Sequence, residues 1–113
     1  MMIHLIKEKA TPQQITEMFE ALGTYIKLAV DTRRKILAGG GILHADCEVE
    51  LLNDGSRQEN IWGADWFPES QEVQFEALIN IRPRQNNPTM KIQDPNIRFK
   101  IESIVKELLE GVK

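Results

Sequence analysis

The sequence predicts one α+β domain: an antiparallel β-meander with two helices packed on one face, in the order β-α-β-β-β-β-α. Three observations carry this expectation. Odd positions from Leu37 to Leu51 read Leu, Gly, Gly, Leu, Ala, Cys, Val, Leu, while the even positions end in His44, Asp46, Glu48 and Glu50. That period of two is the signature of a half-buried strand. An Asp54-Gly55 pair follows, a strong short hairpin signal. Helical stripes with capping residues begin at Thr11 and at Asp94.

Taken in order, residues 2–7 alternate Ile3 and Leu5 against His4 and Ile6, as a short strand would. Thr11, Pro12 and Gln14 supply a capping hydroxyl, a residue suited to the first helical position and a reciprocal partner three residues on. Ile15, Met18, Phe19 and Leu22 then recur at helical spacing, and Gly23 ends the run. Residues 25–31 fit either a strand or a helix stripe. A strand closes the register, pairing Val30 with Leu37, Leu28 with Gly39 and Ile26 with Gly41 across a tip at Arg33-Arg34 or, with the same parity, across Thr32 to Lys35. A two-residue loop at Asp54-Gly55 sets Cys47 against Trp62 and Ala45 against Ala64 on the apolar side. It sets His44 against Asp65, Asp46 against Gly63 and Glu50 against Glu59 on the other. A turn at residues 67–71 leads to a strand over 73–82, then to a proline- and asparagine-rich loop over 83–93. The last helix carries Ile97, Ile101, Ile104, Val105 and Leu108, with Gly111 beyond it.

A chain of 113 residues with 42% apolar and 27% charged residues reads as a single domain spanning 1–113, able to bury a core without staples. The net charge of -3 disfavours nucleic acid as a partner. One cysteine excludes an internal disulfide and a multi-cysteine zinc site. The first residues lack the pattern of a signal peptide, and no apolar run approaches the roughly 18 residues of a membrane span. The expectation is a cytoplasmic protein with no membrane contact. An open sheet edge invites pairing with a second copy, so a homodimer is expected.

The polar face of the sheet holds the candidate chemistry: His44, Asp46, Glu48 and, across the hairpin, Asp65. Opposed residues lie roughly 4.5–5.5 Å apart at Cβ, so an imidazole and a carboxylate there share a hydrogen bond. Such a pair orients a catalytic histidine and is also a start on a divalent-metal site, with His44, Asp46 and Asp65 as ligands. Arg82, on the polar parity of its strand, is placed to neutralise those carboxylates or hold an anionic substrate. Arg33, Arg34 and Lys35, with Arg82 and Arg84 near Asn86 and Asn87, form basic clusters of the kind that contact phosphate, against which the overall acidity weighs. Gly39-Gly40-Gly41 lacks the strand–loop–helix setting of a phosphate loop and reads as a bare stretch that admits another backbone. Trp62 and Trp66 read as core, and Cys47 as a small hydrophobe.

Taken together, several runs resemble a family of small bacterial proteins of unknown function: Val30-Asp31, Leu37 to Gly41, His44 to Glu48, Asp54-Gly55-Ser56, Trp62 to Asp65, Asn80 to Pro83 and Ile92 to Pro95. The resemblance covers nearly the whole chain and implies membership without an activity. Two functions follow from the residues. The first is a small binding or interaction protein with no chemistry of its own. The second is a metal-dependent or acid–base enzyme using His44 and Asp65, with Asp46 and Glu48 as further carboxylates and Arg82 for substrate.

Overall fold

The computed structural model describes residues 2–112. Its elements run β1 (His4–Ile6), α1 (Pro12–Phe19), β2 (Ile26–Asp31), β3 (Ile36–Gly41), α2 (His44–Asn53), β4 (Ile61–Phe67), β5 (Glu72–Gln74) and α3 (Pro95–Leu109), with short 3-10 turns at Gln58–Asn60, Leu78–Asn80 and Pro83–Gln85. The fold is α+β, built on a five-stranded sheet with order β1-β3-β2-β4-β5 and every pairing antiparallel. This is not the simple meander expected. Strands β3 and β4 both flank β2, so the chain must cross over β2 between them, and α2 makes that crossing.

The largest departure from the sequence reading lies here. Residues 44–53 form a helix, not the second half of a long strand. A strand over 37–51 would have been far longer than the usual five or six residues. Half of its ten residues are Ala, Glu or Leu, which favour helix. The Asp46 carboxylate accepts the Leu43 N–H at the helix start. Asp54-Gly55 is a helix stop rather than a hairpin. The Ser56 N–H reaches the Leu51 carbonyl and the Gly55 N–H reaches that of Leu52, with Gly55 at φ 99°. That is the Schellman arrangement, which needs a left-handed residue just as a hairpin turn does. One dipeptide signals both.

Other local expectations agree with the structure. Thr11 accepts from the Gln14 N–H and the Gln14 side chain accepts from the Thr11 N–H, a complete capping box. Asp94 accepts from the Asn96 N–H at the start of α3. Val30 pairs with Leu37 and Leu28 with Gly39, while a register shift beside Lys27 moves Gly41 from Ile26 to Lys27. The tip is the four-residue Thr32–Lys35 turn. The buried Asp31 carboxylate closes it by accepting the Arg33 and Arg34 N–H groups at 2.9 Å.

Two cores result. On one face Ile26, Leu28, Val30, Leu37, Trp62 and Trp66 pack against α1 and α3, as the shared apolar parity predicts. The other face, expected to lie open, is covered. Ala29, Ala38 and Ile61 receive Cys47 and Leu51 of α2. Small side chains on β2 and β3 let the helix sit close. Cys47 is fully buried, and burial pushes its thiol up to about 11. A folded thiol that holds its proton above the ordinary range contributes stability below that range, and loses it as the pH rises toward 11. Cys47 is therefore expected to resist a thiol reagent at pH 8 while the protein is folded and to react at once in denaturant. Rapid labelling of the native protein would contradict this packing.

The strand expected over 73–82 stops at Gln74. Beyond it the chain stays beside β4 by other means. The Asn80 amide accepts the Gly63 N–H at 2.7 Å and donates to the Gly63 carbonyl at 3.0 Å, standing in for a strand partner. Asn87 donates to the Asn80 carbonyl at 2.8 Å and to the Thr89 and Lys91 carbonyls, and accepts from the Gln93 N–H. Both amides are buried. The 83–93 loop is thus organised from within, and Asn87 is a structural residue rather than part of a phosphate-binding cluster.

Candidate functional site

Asp65 lies on β4 with its side chain on the α2 side of the sheet, because Trp62, Ala64 and Trp66 occupy the opposite parity. His44 is the first residue of α2 and comes down on Asp65. Its Nε2 stands 2.8 Å from Asp65 Oδ1 and 3.2 Å from the Ala64 carbonyl. Both side chains are mostly buried, each 11% exposed. Both neighbours of Nε2 are acceptors, so Nε2 carries the hydrogen and, in the neutral ring, Nδ1 carries the lone pair. Among the described residues Nδ1 has no hydrogen-bond partner.

The pair lines a cleft of about 400 Å³ between the start of α2 and the segment after β5. Lys27 and Gln74 flank Asp65 as its register partners on β2 and β5, so a polar row crosses three strands under the helix start. The Lys27 ammonium donates to the Ile42 carbonyl at 3.0 Å. Tyr25 stacks on Phe67, ring centroids 5.1 Å apart, and burial raises its phenol above the ordinary range, with the Asp65 charge adding to the effect. Leu43, Leu78, Ile79 and Met90 form an apolar rim. An apolar rim around a few converging polar groups is the usual form of a ligand site.

The other expected site residues go elsewhere. Asp46 turns away from His44 to cap α2. Residues two apart share a face of a strand, but on a helix they point about 200° apart. The structure does not bring the three expected metal ligands together. Among the described residues no three His, Cys, Asp or Glu side chains are grouped so as to hold a metal ion. Arg82 lines a neighbouring cleft of about 550 Å³ with Glu48, Gln58, Leu78 and Arg84. Its Nη2 pairs with Glu48 at 3.3 Å, its Nε and Nη1 donate to the Ile79 and Gln58 carbonyls, and its guanidinium lies 4.8 Å from the centre of the Trp62 ring. Burial lowers its pKa, and Glu48 opposes that shift. Arg82 does neutralise a carboxylate, as expected, but it acts as a tie between α2 and the loop and does not reach the His44 cleft.

A model of the family described as a protein of unknown function, DUF5674, matches residues 4–108. The chain belongs to this family. No curated protein and no solved structure matches it. Within this DUF5674 chain, Lys27, Tyr25, Gln74 and the rim residues are the site components that strand patterning missed. The signal for Lys27 was its parity on β2, which becomes informative only once β2 and β4 are known to be neighbours.

Proposed function

We propose that the protein is a small binding protein whose ligand enters the cleft beside His44. The hydrogen-bonded His44–Asp65 pair beneath an apolar rim is the observation that supports this reading. Asp65 holds the ring, Nδ1 offers an acceptor to a ligand N–H or O–H, and Leu43, Leu78 and Met90 exclude water around it. The reading also assigns the protein to the cytoplasm, where a lone thiol such as Cys47 stays reduced. Edge pairing into a homodimer has less support, since both edge strands are only three residues long.

The test is a fragment screen followed by amide chemical shifts in isotope-labelled protein. Hits are expected to cluster on Tyr25, Lys27, His44 and Asp65. His44→Gln, which retains a donor for Asp65, is expected to weaken them about tenfold, the loss of roughly one hydrogen bond. Hits scattered over the surface, or bound equally by the variant, would reject the reading.

The same pair also favours acid–base chemistry, with Nδ1 of His44 taking a proton and Asp65 holding the ring as a positioning residue. That reading expects turnover of some member of a panel of chromogenic esters and phosphoesters by the wild type and its loss in His44→Gln. Equal rates for both proteins would reject it.

A further inference from the structure

The exposed apolar surface of this protein is concentrated on one side. Among the described residues every exposed large apolar side chain except Met2 and Phe99 lies at the start of α2, on α2, or in the 78–90 segment beside it. Ala45, Val49 and Leu52 are spaced four and three residues apart on α2, which aligns them in one outward stripe. The inward stripe of the same helix, Cys47 and Leu51, is spent on the sheet. The core therefore accounts for only one of the two apolar sides of α2. Val49 is 50% exposed and Leu52 38%. Leu78, 71% exposed, stands where the two clefts meet, across from Ala45 and Glu48, and gives the stripe a second wall. A patch of this continuity on a small protein marks a contact surface.

Charge selects the occupant. Asp46 and Glu50 run along one edge of the stripe, and α2 contains no lysine or arginine. Glu48 is consumed by Arg82, and on the Leu78 side Glu76 and Arg84 are both exposed, so the unbalanced acidic charge is that of Asp46 and Glu50 on α2. A second copy docked antiparallel, helix to helix across a two-fold axis, would bring the same acidic edges together, which like-charge repulsion opposes. We propose that the outer stripe of α2, with Leu78 as its far wall, docks an amphipathic helical segment of another protein that is apolar on the contact side and flanked by lysine or arginine. This inference goes beyond the cleft reading and stands without it, because the stripe does not depend on His44.

The probe is a synthetic helical peptide of roughly 14 residues, about four turns, with leucines on one face and lysines beside them. Its control has glutamate in place of every lysine. The expected result is saturable amide shifts confined to residues 42–53 and 78–81 with the basic peptide, weaker at high salt, and none with the acidic one. Val49→Glu and Leu78→Glu, both on the surface and so folded, are expected to weaken the basic peptide by about tenfold or more. Binding of both peptides alike, shifts spread over the whole acidic surface, or no binding at all would overturn the proposal. So would concentration-dependent dimerisation abolished by Val49→Glu, which would make a second copy the occupant. Loss of the fragment sites at His44 with retention of peptide binding would reject the cleft reading alone.

Discussion

Asn80→Asp is expected to cost about 3–4 kcal/mol at pH 7, against a total stability of about 5–15 kcal/mol for a domain of this size. The Asn80 amide group is fully buried. Its oxygen accepts the Gly63 N–H, and its nitrogen donates to the Gly63 and Met90 carbonyls. An aspartate keeps the first bond and turns the other two into contacts between oxygens. Protonating it restores a donor, so the variant's carboxyl holds its proton to a higher pH folded than unfolded. A group raised in this way stabilises below its ordinary pKa and loses that contribution as the pH rises. Urea unfolding should therefore show a midpoint nearer to wild type at pH 4 than at pH 7. Asn80→Ala, which leaves both carbonyls and the Gly63 N–H unpaired at any pH, should show no such recovery. Equal losses for the aspartate variant at both pH values would mean that the amide does not replace a strand partner here.

Gly40→Ala is expected to be as damaging, about 3–5 kcal/mol, for two separable reasons. Gly40 sits at φ 103°, a conformation that residues with side chains rarely adopt. A Cβ there would also run into the Met2 carbonyl oxygen and come within 3.0 Å of the Met18 Cα. Both obstacles are backbone, which cannot rotate aside. Gly55 provides the control: it has nearly the same φ, 99°, and nothing within 4 Å of the added carbon. Gly55→Ala should cost only about 1 kcal/mol. The difference between the two urea midpoints, at unchanged slope, measures how closely the Met2 backbone and α1 approach β3. Equal losses at the two glycines would show that the approach is looser than the structure has it. Gly40 thus serves the role that the bare Gly39-Gly40-Gly41 stretch suggests, admitting other backbones.

The chemical pair at the centre of the proposed function was legible in the residues, but by a route that the fold does not take. Strand pairing set His44 opposite Asp65 on the polar side of a hairpin. In the structure a helix lays His44 onto Asp65 instead, 2.8 Å away. The step common to both routes is the parity of β4, which turns Asp65 away from Trp62 and Trp66. Asp46 shows what the change of element costs, because the companion of His44 on a strand becomes the third residue of a helix, its carboxylate tied back to the Leu43 N–H.

What the sequence determined alone are the features whose causes are local. Thr11 with Gln14 and Asp94 with Asn96 cap their helices by contacts within three residues. Asp31 closes its own turn, and the β2–β3 register follows from alternation across a four-residue tip. Only the tertiary structure decided the state of residues 44–53. Their apolar positions satisfy a period of two and also place Cys47 and Leu51 one helical turn apart, and Asp54-Gly55 ends a helix as readily as it turns a hairpin. The tie is broken by β4 pairing with β2 rather than β3. Once β4 lies on the far side of β2, the intervening chain must cross the sheet. A helix makes that crossing with its backbone hydrogen bonds satisfied internally and an apolar stripe for Ala29 and Ala38 to receive.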